Sequence, residues 1–277
     1  MRTLLPVCIL ATSIAVRGAA QSPEYEILAL RYATVPGFPA SGLVIGADPD
    51  ERIDIAMVFW LIRGDGHVIL FDSGFHRAGW FERFDVRDYL RPDSVLRLAG
   101  VAPESVTDII VSHAHWDHMG GIDLFPNAVI WIQRDEFAWY TGEAWQNGGR
   151  GGGADPEDLV ELVQRNTQGT VRLVGGDDVE ILPGIRVYTG ARHTYASQYI
   201  RVADAVPVIL ASDNAYLYRN LAQHRPVATF TRADTTANVQ AQARMLRLGG
   251  GIDQVVPGHD PQLFTRYPTE GRVARIR

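Results

Sequence analysis

His113-Ala114-His115-Trp116-Asp117-His118-Met119-Gly120-Gly121 is the stretch on which the reading of this chain turns. Three imidazoles and a carboxylate fall within six residues, directly behind an apolar, β-branched run, Val106 to Val111, that predicts a buried strand. Grouping so many polar side chains at a strand's exit costs stability unless something binds them. Neutral imidazole nitrogens and a carboxylate suit zinc or another first-row divalent metal. The alternative is a polar loop with incidental histidines.

Residues further along decide against that alternative. His193 follows an apolar strand ending at Thr189, and Asp213 follows the run Val206 to Ser212. His259 follows Val255-Val256-Pro257-Gly258, and Asp72 ends Val68-Ile69-Leu70-Phe71. Taken singly, each aspartate reads as a turn or cap residue and each histidine as incidental. Together they recur at strand exits, where loops on a rigid sheet carry binding groups. His67, His76 and His224 have no place in this set and read as surface residues.

The rest of the chain reads as a strand-rich domain. Glu24 to Tyr32 alternates like a strand, and Ile55–Ile62 with His67–Phe71 predicts a hairpin turning at Arg63-Gly64-Asp65-Gly66. Ser94–Ala99 predicts a short helix, Ala128–Ile132 a strand, and Asp135–Trp145 a helical aromatic stretch. Phe137, Trp139, Tyr140 and Trp145 in that stretch either pack on the sheet or cover a ligand; Phe75 and His76 are placed to line a pocket mouth. Asn147 to Gly153, with five glycines, reads as a loop. It loosely resembles a dinucleotide fingerprint but lies in no strand–helix unit, which removes that reading. Strands follow at Val171–Val174, Ile185–Thr189, Gln198–Val202, Val206–Ala211 and Gln254–Pro257, with a helix over Thr236–Leu248.

Composition narrows the chemistry. The chain has 277 residues, 46% of them hydrophobic, and a net charge of −6. That describes a core-forming globular protein with no basic cluster for nucleic acid. Met1-Arg2-Thr3, the apolar run Leu4 to Val16 and the small residues Gly18-Ala19-Ala20 read as a secretory signal peptide over 1–20. The remainder, 21–277, is then a single periplasmic or secreted domain with no stable membrane anchor after leader cleavage. The one cysteine, Cys8, lies in that leader, so disulfides and thiolate ligands are excluded. All 26 basic residues are arginine, which excludes Schiff-base chemistry and lysine P-loops. No Gly-x-Ser-x-Gly elbow is present. Metal-activated water gains by elimination.

The pattern HxHxDH at 113–118, followed in order by His193, Asp213 and His259, resembles the binuclear branch of the metallo-β-lactamase superfamily. Within it the chain looks most like the N-acyl-homoserine lactonases. The resemblance covers nearly all of 21–277 and implies a mixed α/β fold, the four-layered αββα sandwich. It implies two divalent metal ions, zinc the first choice. His113, His115 and His193 would hold one, Asp117, His118 and His259 the other, and Asp213 would bridge them. Asp72 would hold a ligand histidine in one tautomer. Such a pair, about 3.5–4 Å apart, shares a water whose pKa falls toward about 7, and the resulting hydroxide attacks the carbonyl.

Tyr216, three residues past Asp213, stands where a tyrosine of the lactonases reaches substrate. The resemblance gives it a hydrogen bond to the lactone carbonyl or oxyanion, or a part in protonating the departing alkoxide; Asp117 is a candidate to relay that proton. The expected substrate is therefore a small lactone or ester, resembling an acyl-homoserine lactone. One departure stands out: the lactonases usually carry Gly-His-Thr-Pro-Gly, where this chain has Arg192-His193-Thr194-Tyr195-Ala196. Arg192 and Tyr195 are thus candidates for contact with a substrate carboxylate or ring. A phosphoester- or sulfate-ester-hydrolysing relative is the runner-up. A β-lactamase would lack an aspartate at the place of Asp213, and a persulfide dioxygenase would carry a single iron. A non-catalytic binding protein would have lost ligands, and here none is lost.

Overall fold

The computed structural model describes residues 23–146, 148–149, 151–231 and 234–277. The leader expected over 1–20 and Asn147 of the glycine loop lie outside the described residues. Two long strands, β1 (Glu26–Pro39) and β2 (Arg52–Gly64), decide the layering because each is apolar on both faces. Ile27, Ala29, Val58, Trp60 and Ile62 enter one core, while Leu28, Leu30, Tyr32, Phe59 and Leu61 enter another. A sheet of that kind must be covered on both sides.

Four further strands extend it: β3 (His67–Phe71), β4 (Asp108–Ile110), β5 (Val129–Gln133) and β6 (Val171–Val174). A second sheet holds β7 (Val179–Leu182), β8 (Ile185–Thr189), β9 (Gln198–Val202), β10 (Val208–Ser212) and β11 (Val255–Pro257). The chain then returns to the first sheet with β12 (Thr269–Glu270) and β13 (Val273–Arg275). The orders are β12-β13-β1-β2-β3-β4-β5-β6 and β11-β10-β9-β8-β7. The two strand-rich halves expected from sequence map onto the two sheets only in part: Val171–Val174, expected with the second half, pairs parallel with β5 in the first sheet, and β13 pairs antiparallel with β1, Leu28 opposite Arg275.

Helices cover the outside. α1 (Gly79–Arg83), α2 (Pro92–Leu98), α3 (Trp116–Met119), α4 (Arg134–Tyr140) and α5 (Pro156–Thr167) place Trp80, Leu96, Met119, Tyr140 and Leu162 in the outer core of the large sheet. On the small sheet lies α7 (Thr235–Gly249), with α6 (Tyr218–Gln223) packed beside it, while α8 (Leu263–Arg266) packs by β13. Arg244 of α7 sits over the Tyr188 ring, and Gly249 lets Ile209 approach. The opposite parity of β8–β10, including Val187, Ile200 and Leu210, faces the large sheet. The result is the αββα sandwich. Among the described residues no helix is long and apolar enough to cross a membrane.

Several boundaries differ from the expectation for local reasons. β1 runs on past Tyr32 to Pro39 through two bulges in its pairing with β2. The strand expected from Val206 starts at Val208, since Pro207 offers no N–H to a ladder. The helix expected over Asp135–Trp145 stops at Tyr140, and Glu143–Trp145 forms a separate 3-10 turn beyond Gly142. The sequence reading lacks α5 and β7 altogether. α5 buries polar Asp158 and Arg165 beside Leu159 and Leu162, which blurs its apolar stripe, and β7 is a half-exposed edge.

Just beneath the strand exits the sheets are tied by buried amides. Gln198 Nε2 donates to Val111 O (2.7 Å), its N–H to Ser112 O (2.8 Å), and Gln133 Nε2 donates to Gln198 Oε1 (3.0 Å). Gln198→Leu keeps the volume but strands a buried carbonyl and a buried amide. It should lower unfolding free energy by about 2–3 kcal/mol, read from the urea midpoint.

Candidate metal centre

Five strands deliver the site. β3 ends at Asp72, β4 leads through Ser112 into the 113–118 loop, β8 leads to His193, β10 to Asp213 and β11 to His259. All these exits open on one edge of the sandwich, so residues far apart in sequence converge. The structure brings all seven sequence-derived ligand candidates together.

They form two groups. In the first, His115 Nδ1 lies 3.0 Å from His113 Nε2 and 3.1 Å from His193 Nε2. Asp213 Oδ2 lies 3.6 Å and 3.4 Å from those same Nε2 atoms. In the second, His118 Nε2, His259 Nε2 and Asp117 Oδ2 are separated by 3.3, 3.5 and 3.7 Å. Asp213 Oδ1 turns to this group, 3.3 Å from His118 Nε2 and 3.0 Å from His259 Nε2. One carboxylate therefore presents an oxygen to each group.

These separations test whether a metal fits. Bonds of about 2.0–2.1 Å to a tetrahedral zinc place neighbouring donor atoms about 3.3–3.4 Å apart. The observed edges straddle that value. Protonation state points the same way. His193 Nδ1 donates to Ala228 O, His259 Nδ1 to Ala56 O and His118 Nδ1 to Asp72 Oδ2 (2.9, 2.9 and 2.8 Å). His113 Nδ1 donates to Ser112 Oγ (2.8 Å), whose own hydroxyl points to Asp72 Oδ2. In the neutral rings the four Nε2 atoms are thus left as lone pairs aimed inward. His115 Nδ1 faces two of them and has at most one proton to offer. Asp213 Oδ1, buried, lacks an aligned hydrogen-bond donor. A divalent cation in each group would resolve all of these contacts.

The charges within the site are strongly perturbed. Burial, with neighbouring imidazoles, holds His113 and His115 well below the usual histidine range, and burial also lowers His193. Burial opposes the charged form of His118 and His259 too, but Asp213 and Asp117 outweigh it and raise both. Burial likewise works against the charge on Asp213, yet His118 and His259 bring its pKa well down, while burial dominates at Asp117 and raises it.

The surrounding shell holds residues the sequence reading lacks. Glu136, fully buried on α4, accepts from Ala114 N (2.9 Å), Thr194 Oγ1 (2.6 Å) and Ala196 N (2.6 Å), and so clamps the 113–118 loop to the His193 loop. Burial raises its pKa, against these hydrogen bonds. Ser212 Oγ reaches Asp72 Oδ2 (3.0 Å) and Ser112 Oγ (2.9 Å). Asn238 Nδ2 and Gln242 Nε2 of α7 both donate to Asn214 O, fixing the backbone after Asp213. None of these carries a motif; an acidic residue opening a helix reads as a helix-dipole partner, and buried amides have no local signature. Two glycines are required by close approach. A Cβ at Gly153 would sit 2.7 Å from the His115 ring, and one at Gly258 would sit 2.8 Å from Asp213 Oδ1.

A cavity of about 280 Å³ opens onto the centre, with Asp117, Asp213, His259 and Tyr216 at its floor. Val35, Phe38, Leu43, Met57, Phe84 and Trp116 supply its apolar wall. Tyr216 is buried, its hydroxyl 3.5 Å from the His193 ring, and burial with Asp213 and Asp117 holds its pKa well above 10, so it stays a donor. Arg192 lies over the Tyr195 and Phe230 rings, and neither Arg192 nor Tyr195 lines this cavity. Phe75 is fully buried against Trp116. His76 pairs with Asp123 and half-buried His67 with Asp108.

The comparisons agree with the fold. A family profile, the Metallo-beta-lactamase superfamily, matches residues 58–259. An N-acyl homoserine lactonase of a Bacillus species is 28% identical over 197 residues, covering 66% of this chain and 73% of that protein. Among solved structures, a quorum-quenching N-acyl homoserine lactone lactonase superposes with a TM-score of 0.72 at 19% identity, over 88% of this chain and 95% of its own. A dizinc quorum-quenching lactonase in complex with a hexanoyl-homoserine product gives 0.61 at 17% identity, over 87% and 89%.

Removing the clamp should loosen the centre without touching a donor. Glu136→Ala is expected to weaken metal binding about 10–100-fold, the usual cost of losing an outer partner, in a competition titration against a chromogenic chelator.

Proposed function

This chain belongs to the metallo-beta-lactamase superfamily, and from that premise we propose that it is a binuclear metal hydrolase that opens the ester bond of a small lactone. The observation that carries the reading is Asp213, one oxygen facing each donor group, with Tyr216 beside it at the floor of an apolar cavity. The relatives named as N-acyl homoserine lactonases supply the substrate class, and the dizinc neighbour supports zinc as the metal. His113, His115 and His193 would hold one ion, Asp117, His118 and His259 the other, and Asp213 both. When bound, such ions polarise a carbonyl and lower the pKa of water toward about 7.

The chain's own groups divide the remaining work. The apolar wall orients the substrate and excludes bulk water, so electrostatic contacts within the cavity are strengthened. Tyr216 remains protonated and donates a hydrogen bond where negative charge develops on the carbonyl oxygen. Asp117 lines the same cavity and is placed to hand a proton to the departing alkoxide. The product is a hydroxy acid. Export to the periplasm or beyond, with cleavage before Gln21, is part of the proposal; it rests on the leader-like residues 1–20.

Proton release in weak buffer tests the chemistry. Zinc-loaded protein mixed with acyl-homoserine lactones and simple γ- and δ-lactones should acidify rapidly, and a chelator or His118→Ala should abolish the signal. Tyr216→Phe should keep its metal content while kcat falls about a hundredfold. A fully loaded protein that leaves every lactone intact would sink the assignment, and aryl phosphate and sulfate esters would then be assayed. N-terminal sequencing of protein recovered from the periplasm or medium should begin at Gln21; an intact Met1 would overturn the export proposal.

A further inference from the structure

The metal centre has a second neighbour that the lactone reading does not use. Another cavity of about 330 Å³ shares His115 with the apolar one and reaches His193 as well. Its walls are Trp139, Tyr140 and Phe230, with Ala144, Gly151 and Gly152. Gly152 borders both cavities, so the two compartments adjoin across a thin glycine backbone. A side chain at Gly153, next to the shared Gly152, would strike the His115 ring.

The aromatic wall is fixed rather than incidental. Trp139 stacks on Tyr195 with centroids 4.4 Å apart and planes 2° from parallel. Phe230 meets both edge-on, at 5.6 and 5.8 Å, and is 39% exposed. Its N–H donates to Arg192 O (2.6 Å), and the Arg192 guanidinium covers the Phe230 and Tyr195 rings at 5.1 and 4.9 Å. The departure from the lactonase pattern around His193 therefore has a structural content: Arg192 and Tyr195 buttress Phe230 and Trp139 from behind. An apolar cavity of roughly 150 Å³ already accepts benzene. This one is larger and lined by rings that favour offset or edge-on contact with another ring.

We propose that this compartment seats an aromatic or comparable planar ring of the substrate, so that the preferred lactones or esters are ring-fused or aryl-substituted rather than purely aliphatic. The reading rests on the lactone assignment for its chemistry but on the Trp139–Phe230 walls for its selectivity. The scissile ester then lies over the His115 ridge, with the ring on the Trp139 side and any aliphatic arm along Val35, Phe38 and Met57.

Two lactones with the same six-membered ring test it: 3-isochromanone, which carries a fused benzene, and δ-valerolactone, which does not. Metal-loaded wild type, Phe230→Ala and Trp139→Leu are compared on both. Each variant should lower the ratio of kcat/KM for the fused lactone over the aliphatic one about tenfold relative to wild type, a comparison in which intrinsic reactivity cancels. Calorimetry with the ring-opened product, 2-(hydroxymethyl)phenylacetate, should show a similar loss of affinity. Phe230→Ala alters only a partly exposed ring, so the test survives if Trp139→Leu folds poorly. Ratios and affinities within twofold of wild type would overturn the proposal. Binding of the aromatic product that both variants weaken, without turnover of either lactone, would uphold the compartment and reject the lactone reading instead.

Discussion

Asp72 is the point through which the centre is held. Its carboxylate is fully buried and accepts from Ser112 N, Ser112 Oγ, His118 Nδ1 and Ser212 Oγ. Those donors belong to the exits of β4 and β10 and to the helix that carries His118, so one side chain fixes three elements from both sheets. It orients His118 directly and His113 through Ser112. The residue stands at φ 64, and Ser212, which meets it, at φ 46; both are left-handed conformations that a hydrogen-bond network must sustain. Charge, geometry and backbone strain converge on one carboxylate.

The part of this design that was legible in the sequence is the part where chemistry is concentrated in few residues. HxHxDH, His193, Asp213 and His259 are conspicuous because histidine and aspartate have no packing reason to gather at strand ends. The β1–β2 layering was less visible, since strands buried on both faces lose the alternation that marks a half-exposed one. Glu136 was illegible for a different cause. Its function lies in the three donors it gathers from two distant loops, and nothing adjacent to it in sequence records that. The amides of α7 and the paired glutamines between the sheets are hidden for the same reason.

The outer shell is also where this chain acquires its own character. The donor set is the part of the site that the sequence pattern announces, whereas the ring cluster of Trp139, Tyr195 and Phe230 is assembled from α4, the His193 loop and the segment before α7. The His193 loop thus has two faces. One supplies an imidazole and a threonine gripped by Glu136; the other supplies a tyrosine and an arginine that brace a hydrophobic wall. Alteration of the residues beside a ligand, with the ligand kept, changes what the site admits while leaving its reactive core intact.

The ends of the two sheets carry a consequence for the protein in concentrated solution. Edge strand β12 is only Thr269–Glu270, both exposed, and β11 closes on Pro257. β7 places Glu180 on its exposed positions, and β6 places Arg172 there. Each border is short, charged or interrupted by proline, so none offers a long flat row of free N–H and C=O groups to a neighbouring copy. A molecule with thirteen strands among its described residues is thereby discouraged from growing its sheets outward into aggregates.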